Sequence, residues 1–127
     1  MKRIFIPVLA IAAAVVCLQA CKKKNTVAQK TITVEGLFSL TGNWSTLGVT
    51  SKAALEIAAE DINSYLAGKN SNFRIATTVA DTKLQTDLAA TLFTKAKNDK
   101  ISFIIGPQSS AEVAAIKPLA MLPTLLL

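Results

Sequence analysis

The residues best placed to do chemistry are Ser109, Ser110 and Glu112 of ISFIIGPQSSAE, residues 101–112, where an apolar run meets a Gly-Pro turn and a helix start. Ser109 and Glu112 have the S-x-x-E spacing of a capping box, in which the serine caps the glutamate amide and the glutamate reaches back to the serine amide. This places Ser110 at the first helical position. Its hydroxyl and the uncapped amides of the first turn then face solvent at the positive end of a helix dipole. Such a terminus suits an anion, a carboxylate above all.

Other chemistries are removed by composition. The 127 residues contain no histidine, and the two cysteines, Cys17 and Cys21, both fall in the first 21 positions. With Cys17 in a cleaved leader and Cys21 acylated, as argued next, the mature fold has no thiol. Disulfides, Cys or His metal sites and His-based catalysis are then excluded, and no cofactor is implied. A hydrolase or transferase on an α/β sheet would want a G-x-S-x-G elbow, a P-loop or a G-x-G-x-x-G run, and the sequence has none of these.

Residues 1–20 read as a secretory signal: Lys2 and Arg3, an apolar stretch over 4–18, then small residues. The stretch is shorter than the roughly 20 residues of a spanning helix. Leu18-Gln19-Ala20-Cys21 resembles the lipobox of bacterial lipoproteins, in which the cysteine is diacylated and becomes the first mature residue. That implies an exported protein of the cell envelope, held at the inner or outer membrane through Cys21. Residues 21–30, CKKKNTVAQK, read as a lipidated basic tether. The formal charge of +6 belongs to signal and tether, since residues 31–127 carry eight Lys or Arg against eight Asp or Glu. No nucleic-acid footprint follows. The tether lysines read first as a solvated run, and second as an aid to holding anionic headgroups.

Alternating elements must position the serines. Residues 31–40 (TITVEGLFSL) predict a strand, and 41–48 (TGNWSTLG) a loop around the single tryptophan, Trp44. Over 49–66, Ala54, Leu55, Ala58, Ile62, Tyr65 and Leu66 recur at helical spacing, opposite Lys52, Glu56, Glu60 and Asn63, with Gly68 as the stop. Residues 73–80 predict a second strand. Thr82 and Gln85 repeat the capping-box spacing ahead of a helix with the stripe Leu84, Leu88, Ala89, Leu92, Phe93 and Ala96. Residues 101–105 predict a strand buried on both faces, and 110–120 a third helix that Pro118 should kink or end. The fold class is therefore α/β, a partial doubly wound parallel sheet of order β-α-β-α-β-α. With the first strand central, a crevice opens at the carboxyl ends of the first and third strands, between loop 41–48 and residues 106–110.

Four ordered segments, LFSLTGNWSTLG, KAALEIAAEDIN, ADT and IIGPQSSAEVAAIKP, resemble the amino-terminal part of the type I periplasmic solute-binding proteins, in the branched-chain amino acid receptor branch serving ABC transporters. The resemblance implies a two-lobed receptor, not an enzyme. Its small amino-acid-like ligand is gripped at its carboxylate and amino groups by the first lobe, and its partner is an ABC permease. It makes Ser110 the serine whose hydroxyl and amide meet the carboxylate. Leu47 falls where an aromatic residue often packs on the ligand, and Trp44, three residues earlier, offers an aromatic surface instead. The ligand-side set is then Ser110, Ser109, Gly106, Trp44, Leu47 and Thr41. Ser109 also reads as a structural cap, Thr41 as a turn former, and Trp44 equally as packing. Residues 31–127 correspond to an incomplete first lobe. Two readings stay open: part of a longer receptor, or a truncated or frame-shifted product that is tethered to the membrane and binds nothing.

Overall fold

The computed structural model describes residues 28–121. The signal, Cys21, most of the tether and residues 122–127 lie outside the described residues. Three strands and three helices alternate: β1 (Lys30–Phe38), α1 (Ser45–Gly68), β2 (Phe73–Asp81), α2 (Thr86–Asn98), β3 (Phe103–Ile105) and α3 (Ser110–Met121). The sheet order is β2-β1-β3, with β1 central and both pairings parallel, as the sequence predicts. Lys30 pairs with Phe73 and Val34 with Phe103. Thus β1 starts at the last residue of the expected tether, one residue before the expected start of the strand.

Leu37 of β1 packs with Ala89 and Phe93 of α2 and Ile116 of α3, and Ala80, Leu92, Ile104 and Leu119 surround this core. A strand's side chains alternate between faces. The neighbours of Leu37 therefore serve the opposite side, where α1 packs on β2 and β1. The stripe predicted for α2 holds at Ala89, Phe93 and Ala96, all buried.

Several expectations are corrected. The first strand ends at Phe38, not at residue 40, because beyond it side chains replace sheet partners: the Ser39 amide donates to Gln108 Oε1 and the Leu40 amide to Asp81 Oδ1. Only 41–44 of the expected loop is a turn. The helix begins at Ser45, and Gly48, read as a loop residue, is buried in it. A Cβ on Gly48 would stand 1.9 Å from the Ser39 carbonyl oxygen, so glycine is required by the close approach of helix to strand. Asn70, at φ 53°, rather than Gly68, supplies the left-handed residue after α1, and the Ser71 amide closes onto the Leu66 carbonyl at 3.0 Å.

The face of α1 is also rotated from the predicted stripe. Ala59 is buried and Leu55, Asn63 and Leu66 are half-buried, whereas Ala54, Ala58, Ile62 and Tyr65 are exposed. Two contacts fix the rotation. One is the Gly48 approach; the other is Asn63, whose side-chain amide donates to the Ile75 carbonyl (2.9 Å) and accepts from the Ile75 amide (2.8 Å) on the outer edge of β2.

The capping box at Thr82 and Gln85 does not form. Thr82 is buried, its hydroxyl lies 3.2 Å from that of Ser39, and α2 starts only at Thr86 after positive-φ residues Lys83 and Leu84. Leu84 therefore lies outside the helix. On β3, Ile104 faces the core, but Phe103 and Ile105 are 56% and 48% exposed, so the strand is not buried on both faces. Finally, α3 runs through Pro118 to Met121. Lys97 Nζ donates to the Leu119 carbonyl at 3.1 Å, satisfying one acceptor that the end of a helix leaves open.

Candidate functional site

The carboxyl ends of β1 and β3 bring the predicted segments to one rim. At the end of β3, Gly106 has φ 107°, and a Cβ there would come within 2.3 Å of the Leu37 carbonyl oxygen. No side chain fits. The backbone then passes through Pro107 and Gln108 to Ser109, where the capping box forms as the spacing predicts. Ser109 Oγ accepts from the Glu112 amide (3.2 Å) and donates to Glu112 Oε2 (2.7 Å), which also accepts the Ser109 amide (3.2 Å). Glu112 is fully buried in the first turn of α3, and its Oε1 has no hydrogen-bond partner among the described residues.

Ser109 is engaged by Glu112 through both its hydroxyl and its amide, and Ser110 is left over. It is exposed at the first position of α3, and no hydrogen bond among the described residues engages its hydroxyl or amide. This is the arrangement that accepts an anion. Ser109, with both groups engaged, holds the cap, and Gly106 contributes backbone shape.

The opposite wall is the turn 41–44 and the first turn of α1. Trp44 and Leu47, 40% and 49% exposed, line a shallow hollow of about 430 Å³ with Asn43, Thr46 and Thr50. Ser110 does not line this hollow; the two walls are separate surfaces of one rim. Thr41 is turned inward chemically: its hydroxyl donates to Asp81 Oδ2 at 2.7 Å. Asp81 Oδ1 accepts the amides of Leu40 (2.8 Å) and Lys83 (2.9 Å). Burial pushes the Asp81 carboxyl up, but the Thr41 hydroxyl and the Lys83, Leu40 and Thr41 amides outweigh it and hold it below the ordinary aspartate value.

The residue that sequence reasoning missed is Gln108. Its Oε1 accepts the Ser39 amide at 3.0 Å, and its Nε2 donates to Ser51 Oγ at 2.8 Å and to the Leu47 carbonyl at 3.4 Å. It lies inside the GPQSS segment, but its partners are more than fifty residues away, and local spacing carries no signal of them. Among the described residues no cluster of three or more potential metal ligands occurs.

Comparison with known proteins bears on the family and the fold. Residues 31–122 match the family model described as periplasmic binding protein. An uncharacterized protein of Methanocaldococcus jannaschii is 32% identical over 89 residues, covering 70% of this chain and 21% of that protein. The leucine binding protein LivK of Thermotoga maritima superposes with a TM-score of 0.60 at 26% identity, over 70% of this chain and 24% of that one. The branched-chain amino acid transporter substrate binding protein LivJ of Streptococcus pneumoniae, solved in complex with isoleucine, gives 0.58 at 27% identity, over 70% and 26%. This chain thus spans about a quarter of the length of these solved relatives or less.

Proposed function

The chain belongs to the periplasmic binding protein family and matches its amino-terminal part, and from that premise we propose that it is the first-lobe portion of a lipid-anchored receptor that hands an amino-acid-like carboxylate to an ABC importer. The observation that carries this reading is the free start of α3. Ser110 presents an unengaged hydroxyl and amide at a helix N-terminus. That terminus stands where β1 and β3 diverge, the place at which open parallel sheets bind ligands. A carboxylate there gains charge-assisted hydrogen bonds. Trp44 and Leu47 supply apolar surface on the facing wall for the rest of the ligand. The names of the two receptors above, one leucine-binding and one holding isoleucine, support an aliphatic amino acid as the first ligand to try. The role is transport rather than catalysis, and the place is the cell envelope, with Cys21 as the anchor.

The test is calorimetry with L-isoleucine on a form of the receptor carrying both lobes. Ser110→Ala should weaken binding by about 1 to 3 kcal/mol, the usual cost of an unmade buried hydrogen bond. Equal affinity would remove Ser110 from the site. A second reading, a tethered chain that binds nothing, is favoured by the exposed Phe103 and Ile105 of β3. One lobe leaves a ligand wet on its far side, and closure by a second is what desolvates it. Binding of isoleucine to the 127-residue chain alone would dismiss that second reading.

A further inference from the structure

Gln108 does not itself line the hollow, yet two separate segments converge on its side-chain amide. The Ser39 amide at the end of β1 donates to Oε1, while Nε2 reaches Ser51 Oγ and the Leu47 carbonyl in the first turns of α1. Gln108 itself lies on the short backbone path into α3. Ser39 is fully buried, so its amide has no ready replacement partner in water. Two glycine contacts tighten the same junction from either side: Gly48 on the Ser39 carbonyl and Gly106 on the Leu37 carbonyl. Those contacts set how close helix and loop come to β1. Among the described residues, only the side chain of Gln108 makes hydrogen bonds that join helix and loop to each other.

We propose that Gln108 is a positioning residue that fixes the start of α1 against the start of α3, and so sets the separation of the two walls, Trp44 and Leu47 on one and Ser110 on the other. This rests on the binding reading above. An amide is the group the geometry asks for, because it must accept from Ser39 and donate to two oxygens at once. Leucine, of similar size, does neither. Glutamate keeps the acceptor for Ser39 and can accept a hydrogen bond from the Ser51 hydroxyl, but sets an oxygen against the Leu47 carbonyl.

The test uses the full chain with Gln108→Leu and Gln108→Glu, read by hydrogen exchange at the Ser39 amide and by emission of the single tryptophan, Trp44. In the leucine variant Ser39 exchange should accelerate at least tenfold and Trp44 emission should shift to longer wavelength. The glutamate variant should keep Ser39 protected and still shift Trp44. It carries the test if the leucine variant fails to fold. Calorimetry with L-isoleucine on the form carrying both lobes should show at least a fivefold weaker affinity in the leucine variant. If the unaltered two-lobed form does not bind isoleucine, the functional reading fails, while exchange and emission still decide the positioning role. A lowered melting temperature with unchanged emission and unchanged Ser39 exchange would assign Gln108 to packing alone and overturn the proposal.

Discussion

Asp81 gathers the Thr41 hydroxyl and the Leu40 and Lys83 amides onto one carboxylate, so it holds the turn after β1 against the turn after β2. Its carboxyl is held below the ordinary value of 3.8, which means the folded state binds that proton less readily than the unfolded state. The stabilisation is therefore present above pH 3.8 and is lost as pH falls through the lower, folded value. In Asp81→Asn this acid-dependent contribution should vanish, and the variant should be less stable than the parent at neutral pH. Thermal melts from pH 2.5 to 7 check it; a parallel offset at every pH would sink the assignment. At this scale the sequence was legible where the partners are local. Ser109 and Glu112 form their box three residues apart. Thr82 and Gln85 have a similar signature, but the Thr82 hydroxyl faces Ser39 from across the fold, and the tertiary partner prevails. Gln108 was illegible for the same reason.

Among the elements, α1 shows how a helix can be read correctly in kind and wrongly in face. Apolar spacing places Ile62 and Tyr65 inward, yet a glycine and an asparagine decide the rotation, because one permits contact with β1 and the other satisfies the backbone of β2. Asn63 acts as a strand surrogate: it occupies both the N–H and the C=O that Ile75 turns away from β1. An unpaired edge invites a strand from another molecule. Asn63→Leu should cost roughly 2 kcal/mol, about 1 for each lost hydrogen bond, and should shift the chain toward dimers and larger species relative to the parent. Size-exclusion chromatography with light scattering reads the outcome. A variant that is less stable but associates no more than the parent would show that Asn63 holds the helix and guards nothing.

For the molecule as a whole, the β2-β1-β3 order was legible, because strands alternating with helices admit few right-handed arrangements. The exposure of Phe103 and Ile105 was not, since an apolar run reveals that a strand is covered but not by what. The proposed anchor is tested at this scale too. Cys21→Ser should move the protein from the membrane fraction to the soluble one on cell fractionation, and unchanged sedimentation with membranes would dismiss lipidation. The central position of β1 has a consequence in time. Lys30 waits 43 residues for Phe73, and Val34 69 residues for Phe103, so the first strand to be made has no sheet partner until β2 has followed and is flanked on both sides only when β3 is made. Pairings this distant in sequence form slowly. A polypeptide built this way emerges as an unpaired strand, and commits to its sheet only after two helices and two further strands have followed the first.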